Sequence, residues 1–190
     1  HTARLIVQVD LDYVYDEDPD QEEQNISALV RRLTDLGICT VALQAFADPD
    51  GDDTAASLYF SNRVMPVRRE LFPRTARALQ RAGIEVWAWM PLLAFQVPGS
   101  DPDLFVQSAR PDDLTKSIAG NRLSPFHPKA RRLIRAIYTD LARSTAIDGI
   151  LFHDDGRLSD FEDVSPAARN ALKKAGFPSD ISSIRSQSRL

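Results

Sequence analysis

Residues 148–155 of the chain read Asp148-Gly149-Ile150-Leu151-Phe152-His153-Asp154-Asp155, a short apolar run that passes directly into a histidine and two carboxylates. Residues 5–12 repeat the arrangement, with an apolar run that ends in Asp10 and Asp12. Parallel strands that are buried on both faces are typically apolar runs, and (β/α) barrels carry their active sites at the carboxyl ends of such strands. The two stretches therefore predict a parallel sheet whose carboxyl edge gathers four carboxylates.

The composition describes an ordinary globular domain. The 190 residues are 43% hydrophobic and 26% charged, which is enough for one domain with a sizeable core. The sequence contains no run of 18 or more apolar residues, which is the length expected of a membrane-spanning helix. The net charge of −4, with acidic residues concentrated in loops, disfavours nucleic acid as a partner and favours a cationic or neutral ligand.

Strand and helix patterns alternate along the chain. The periodicity predicts strands over 5–12, 40–46, 84–90 and 148–152. It predicts helices over 21–36, 69–82 and 128–144, followed by a weak helix that ends at Lys174. Four βα units of this kind are typical of an α/β fold with right-handed crossovers.

Four units are compatible with a small open sheet or with half of a (β/α)₈ TIM-type barrel. The connections after the strands are long and polar, whereas those before strands two, three and four are very short. That asymmetry is the barrel pattern, with one elaborated functional face and one plain face. We therefore predict that residues 1–190 form the N-terminal half of a (β/α)₈ barrel domain.

The alternation of side chains along each strand predicts which residues point toward the barrel axis. The predicted inward-facing polar positions are Gln8, Asp10, Asp12, Gln44, His153 and Asp155, with Asp154 at the rim. A buried polar group without a partner costs about 1–3 kcal/mol, so their convergence predicts a functional site. The alternative for Gln8 and Asp10 is a structural role, in which they hold the strand ends together by hydrogen bonds.

Paired carboxylates near aromatic side chains suit glycoside hydrolysis. One acid protonates the leaving oxygen, and a second group acts as nucleophile or activates water. We predict Asp155 and Asp154 in these catalytic roles. Aromatic faces would support the apolar faces of sugar rings, although Trp87 and Trp89 alternate with core positions and could belong to the core. The predicted platforms are Tyr13, Phe46 and Trp89, with Phe95 and Phe126 as further candidates.

Other chemistries receive less support from the sequence. A metal site at 153–155 is disfavoured because His1 and His127 lie far from ligand spacing, so we predict no metal and no cofactor. The loop 48–53 faintly resembles the start of a calcium loop, but it lacks the terminal bidentate Glu and is interpreted as a solvated turn. The chain has no G-x-S-x-G motif, Gly-rich phosphate loop or Cys/His dyad, which disfavours serine and thiol hydrolases and nucleotide enzymes.

Several blocks of sequence also carry a resemblance. They are VQVDLDYVY at 7–15, LQAFADPDGD at 43–52, AWMP at 88–91, RLSPF at 122–126, DGILFHDD at 148–155 and LSDFED at 158–163. In this order they resemble the C-terminal glycoside hydrolase domain of the poly-β-1,6-N-acetylglucosamine deacetylase/hydrolase family. The resemblance covers nearly the whole chain.

The resemblance implies a (β/α)₈ fold and an endo-acting, carboxylate-dependent hydrolase of partially deacetylated poly-β-1,6-N-acetyl-D-glucosamine, a biofilm exopolysaccharide. Free glucosamine makes this polymer cationic, which agrees with an acidic groove. The resemblance also implies a periplasmic location, with or without outer-membrane association. The family's N-terminal deacetylase domain and second half-barrel lie outside these 190 residues, so we do not assign deacetylation to them.

Asp155 and Asp154 are thus the predicted catalytic acids. The residues predicted to bind substrate are Asp10, Asp12, Tyr13, Gln44, Phe46, Trp89 and His153. Two other functions remain open from the sequence. One is a noncatalytic module that binds and guides the polysaccharide for export through the same groove. The other is a metal-dependent deacetylase, which the missing histidine pair disfavours.

Overall fold

The structure is a computed structural model that describes residues 5–109, 122–159, 161–180 and 182. Residues 1–4, 110–121, 160, 181 and 183–190 lie outside the described residues. The strands are Ile6–Val9 (β1), Thr40–Gln44 (β2), Phe46–Ala47 (β3), Ser57–Leu58 (β4), Glu85–Met90 (β5) and Gly149–Phe152 (β6). The helices are Pro19–Asp35 (α1), Leu71–Arg81 (α2), Pro128–Ser144 (α3) and Pro166–Lys174 (α4).

Four strands form one parallel sheet in the order β1-β2-β5-β6. Strands β3 and β4 form a separate antiparallel pair within the connection that leaves β2. Strand β2 ends at Gln44 rather than at the predicted residue 46, because the chain turns at Ala45 and Phe46 begins β3. The other predicted elements differ from the observed ones by two residues or fewer at most ends, and α3 has the predicted limits.

One face of the sheet packs against the helices and forms the core. Val41, Leu43, Val86, Ala88 and Met90 alternate with residues of the opposite face and are all buried. The helices cover them with apolar stripes at helical spacing. The buried residues of these stripes include Ile26 and Leu33 of α1, Leu71, Phe72, Ala76 and Leu79 of α2, and Ile137 and Leu141 of α3.

The opposite face is the one that the alternation predicts to point inward. Gln8, Ala42, Trp87 and Gly149 lie in one row across the four strands. Gly149 makes this row possible, since a Cβ atom there would lie 2.7 Å from the Trp87 ring. Ile6 and Trp87 are exposed on this face. Within the described residues, β1 and β6 each pair on one side only, so the sheet has two unpaired edges.

Candidate active site

The carboxyl ends of the strands surround a cleft of about 400 Å³. All seven residues that the sequence predicts to bind substrate line this cleft. They are Asp10, Asp12, Tyr13, Gln44, Phe46, Trp89 and His153. Residues of the loop 48–53 complete the lining. The structure therefore brings residues from four strand ends and one loop to a single place.

Three rings form the base of the cleft. The His153 imidazole is stacked on the Trp89 indole, with centroids 5.6 Å apart and planes 9° apart. Phe46 packs edge-on against both, at 5.9 Å from Trp89 and 6.5 Å from His153. Because Phe46 is only 2% exposed, it supports the other two rings from below. Tyr13 stands at the rim and is 88% exposed.

The Asp12 carboxylate is bound on both oxygens. Its Oδ1 accepts hydrogen bonds from the Tyr59 hydroxyl at 2.5 Å and the Arg68 guanidinium at 2.8 Å. Its Oδ2 accepts from the Asp48 backbone N–H at 2.9 Å and from Gln44 Nε2 at 3.3 Å. The Asp12 carboxylate therefore connects the end of β1 to β2, to the start of the loop 48–53 and to the segment after β4.

Neighbouring contacts hold this cluster in place. Gln44 Oε1 accepts from the Leu11 backbone N–H at 2.8 Å, and the Arg68 guanidinium lies 4.1 Å from the centre of the Tyr15 ring. Burial, together with the hydrogen bond to Asp12, raises the pKa of Tyr59 well above its usual range, so its phenol remains a donor. Tyr59 and Arg68, which lie 47 and 56 residues from Asp12 in the chain, are not among the residues predicted from the sequence.

Asp10 differs from Asp12 in its electrostatics. It caps the 3₁₀ turn Leu11–Tyr13, and its Oδ1 accepts from the Asp12 backbone N–H at 2.8 Å. Burial raises the pKa of its carboxyl, the charges of Asp12 and Asp48 raise it further, and the Asp12 N–H opposes them. Asp10 is therefore a cleft carboxyl that holds a proton more readily than an isolated aspartate does.

The loop 48–53 is exposed from residue 49 to residue 53, which confirms its interpretation as a solvated turn, and it also forms a wall of the cleft. The Asp48 carboxylate accepts from the backbone N–H groups of Asp52 and Asp53 at 3.1 and 2.9 Å. Asp53 has a φ of +63°, a conformation that side-chain-bearing residues seldom adopt. The curled loop places Asp53 Oδ1 3.9 Å from His153 Nε2.

The two acids after β6 occupy different environments. The Asp154 side chain is 98% exposed, and its Oδ1 lies 3.1 Å from His153 Nδ1. The Asp155 carboxylate instead accepts from the backbone N–H groups of Leu92, Leu93 and Ala94 at 2.9, 2.6 and 2.6 Å. Asp154 thus adjoins the cleft through His153, and Asp155 holds the loop after β5. Their catalytic roles remain predictions.

Two further observations concern the described residues alone. Among them, no three or more His, Cys, Asp and Glu side chains are grouped in a way that could hold a metal ion. None of the helices in this part of the chain is long and apolar enough to cross a membrane.

Comparison with known proteins identifies relatives over nearly the whole chain. The family model described as hypothetical glycosyl hydrolase family 13 matches residues 8–190. The chain is 44% identical over 189 residues to the poly-beta-1,6-N-acetyl-D-glucosamine N-deacetylase of Escherichia coli (strain K12), a match covering 97% of this chain and 28% of that protein. The chain therefore spans less than a third of this curated relative.

Among solved structures, the PgaB (BpsB) glycoside hydrolase domain of Bordetella bronchiseptica is 48% identical, with a TM-score of 0.89 over 96% of this chain and 53% of that chain. A maltogenic α-amylase of Thermotoga neapolitana shares the fold at 15% identity, with a TM-score of 0.55 over 90% of this chain and 43% of that chain. These matches confirm both the family resemblance and the prediction that the sheet belongs to a (β/α)₈ barrel, of which this chain supplies about four βα units.

Proposed function

The chain belongs to the hypothetical glycosyl hydrolase family 13, and from this membership we propose that it hydrolyses partially deacetylated poly-β-1,6-N-acetyl-D-glucosamine within the polymer. The observation that carries the proposal is the cleft itself, where aspartates surround a Trp89–His153 stack at the carboxyl edge of the sheet. The names of the two most similar relatives described above support the polymer and the reaction.

Acidic residues suit a cationic sugar polymer. Asp10, Asp48, Asp50 and Asp53 line the cleft together with Asp12, and Arg68 is already paired with Asp12. A glucosamine unit without its acetyl group carries an ammonium, which the remaining carboxylates would attract. The flat faces of Trp89 and Tyr13 would support the rings of adjacent sugars.

This part of the proposal is tested by binding. Affinity should rise with the deacetylated fraction of the polymer and fall with added salt, since attraction between exposed charges is screened beyond about 8–10 Å at physiological ionic strength. Titration calorimetry on polymers of graded acetylation measures both trends. Equal affinity for the fully acetylated polymer would contradict the proposal.

For the chemistry we propose Asp154 and Asp155 as the catalytic acids. Asp154 presents its exposed carboxylate beside the cleft. Asp155 accepts three hydrogen bonds, and because a carboxylate has about four acceptor positions, it retains one for a substrate hydroxyl or a water molecule. A proton donor and a proton acceptor or nucleophile flanking the glycosidic bond are what hydrolysis requires.

Replacing these acids by amides tests their roles. Asp154→Asn and Asp155→Asn should each lower turnover by about 10²–10⁴-fold, because an amide keeps the shape but cannot transfer the proton, while polymer binding persists. Asp35→Asn, at the exposed carboxyl end of α1, is the matched control. Wild-type turnover in both site variants would refute the assignment.

A noncatalytic module that binds and guides the polysaccharide is the second candidate. It is favoured by the full use of Asp12 by protein donors and by the three backbone bonds to Asp155. Products separate the two functions. Shorter oligosaccharides after incubation support hydrolysis, and persistent binding without shorter products supports the module.

We also propose that the protein acts in the periplasm, with or without association with the outer membrane. In the whole protein, this chain would be joined to a second half-barrel and an N-terminal deacetylase domain. The 28% coverage of the curated relative and the two unpaired edges of the described sheet support the second half-barrel and the further domain. Because such edges and the exposed Ile6 and Trp87 favour association, residues 1–190 alone should aggregate or melt at lower temperature than a polypeptide with both halves. A monodisperse monomer with a sharp unfolding transition would contradict the need for a second half.

A further inference from the structure

The His153 ring lies between two carboxylates, one at each nitrogen. Nδ1 is 3.1 Å from Asp154 Oδ1, and Nε2 is 3.9 Å from Asp53 Oδ1. The histidine side chain is 17% exposed, whereas those of Asp154 and Asp53 are 98% and 78% exposed. A half-buried ring therefore lies beside two carboxylates that are largely in solvent.

Packing, and not the carboxylates, sets the orientation of this ring. Trp89 stacks on its face and Phe46 contacts its edge, while the His153 backbone N–H donates to the Met90 carbonyl at 2.9 Å. Asp154 has no such support from other side chains in the described residues. Its carboxylate would otherwise distribute among several rotamers.

Asp53 reaches the ring by a different route. Asp48 closes the loop 48–53 onto itself and is in turn held by Asp12. The left-handed backbone of Asp53 directs its side chain toward Nε2, at a distance that is long for a hydrogen bond but within reach of an ion pair. The same ring thus lies beside an acid of the 3₁₀ turn after β6 and beside the wall of the cleft.

We propose that His153 is a positioning residue that fixes the Asp154 carboxylate through Nδ1 and holds the loop 48–53 beside it through Nε2. The inference rests on the proposed function, in which Asp154 is a catalytic acid. Proton transfer depends strongly on the placement of the acid. The first contact should therefore affect turnover, and the second should affect substrate binding.

Three substitutions separate the two contacts. His153→Phe keeps a ring against Trp89 and removes both nitrogens. His153→Asn retains a polar atom near the Nδ1 position, and His153→Gln retains one near the Nε2 position.

The Phe variant should lower kcat by about tenfold to a hundredfold, the range expected when a hydrogen bond to a charged group is lost. The Asn variant should recover most of kcat with a raised KM. The Gln variant should recover KM but not kcat. Equal kcat in the Asn and Gln variants, or wild-type kcat in all three, would overturn the inference.

The kinetics should be measured on a polypeptide that carries both barrel halves, with Asp154→Asn in parallel. If Asp154→Asn retains wild-type turnover, the proposed catalytic acid and this inference both fail. If Asp154→Asn is inactive and the three His153 variants have wild-type kcat, the inference alone fails.

A second readout does not depend on activity. The chain has three histidines, so the nitrogen NMR signals of His153 can be assigned by their loss in His153→Phe. Asp154→Asn should shift the Nδ1 signal, and Asp53→Asn should shift the Nε2 signal. Unchanged signals in both variants would overturn the inference, and thermal unfolding of each variant controls for loss of the fold.

Discussion

The ends of β1 and β6 are built alike but stabilised differently. Each strand leads into a 3₁₀ turn with two carboxylates in it or directly before it, one of which accepts several hydrogen bonds from the protein. That residue is Asp12 after β1 and Asp155 after β6, while Asp10 accepts one backbone N–H and Asp154 is exposed. The donors differ, however: Asp12 is bound largely by side chains that include Arg68, and Asp155 is bound by backbone N–H groups.

The difference indicates what each bound acid does. Asp12 joins segments distant in sequence, and the charge of Arg68 compensates its own. Asp155 joins two loops that follow adjacent strands, and among the described residues backbone N–H dipoles compensate its charge. At both ends, a fixed carboxylate shapes the loops beside a second carboxylate that fewer protein donors bind.

The largest effect on stability should come from removing the Asp155 carboxylate, which accepts hydrogen bonds from backbone N–H groups. Asp155→Ala leaves three N–H groups without their partner, and at about 1–3 kcal/mol each the free energy of unfolding should fall by about 3 kcal/mol or more. Urea denaturation measures this. Asp154→Ala, on an exposed side chain, should change the free energy of unfolding by less than about 0.5 kcal/mol. Equal effects of the two substitutions would contradict the view that Asp155 stabilises the fold and Asp154 does not.

The next largest effect should come from the cation at the β1 end. Arg68→Met leaves the partly buried Asp12 charge uncompensated and should cost about 2 kcal/mol of unfolding free energy. The matched control is Arg63→Met, which removes a more exposed pair with Asp140 and should have a smaller effect, because solvent screens exposed ion pairs. A double-mutant cycle with Asp12→Asn that gives no coupling would show that Arg68 acts only by packing on Tyr15.

A smaller effect is expected from the phenol that also binds Asp12. Tyr59→Phe keeps the buried ring and removes one donor, which should lower the free energy of unfolding by about 1 kcal/mol. Chemical denaturation of this variant, compared with the Arg68 variant, ranks the two donors. A larger loss for Tyr59→Phe than for Arg68→Met would reverse the order proposed for the cluster.

The smallest effect should be a gain in stability from Asp10→Asn. Because the folded pKa of Asp10 is raised, protonation favours the folded state: this contribution is present at acidic pH and is lost as the pH rises through the folded pKa. The amide keeps the oxygen that caps the turn and cannot ionise. Asn at this position should therefore raise the melting temperature at neutral pH and have no such advantage below about pH 4, near the unfolded pKa, and a melting curve comparison across pH checks the sign.

The sequence predicted the parts of the molecule that local rules determine. Helix α3 follows from apolar residues at helical spacing after Pro128, and the seven cleft residues follow from strand alternation and the position of strand ends. Tyr59 and Arg68 could not be placed, because their contact with Asp12 depends on the course of the connection through β3 and β4. The available signal for this contact was the charge of Arg68, since a cation in a long connection can pair with an inward-pointing aspartate.

The contact of Trp89 with His153 has a consequence for how the cleft can be observed. Indole emission responds to the groups that surround the ring, and the chain has only two tryptophans. A Trp87→Phe background leaves Trp89 as the remaining tryptophan, so emission from the cleft should change when a sugar polymer is added. The size of that change should differ in His153→Phe, because the substitution replaces the ring stacked on Trp89.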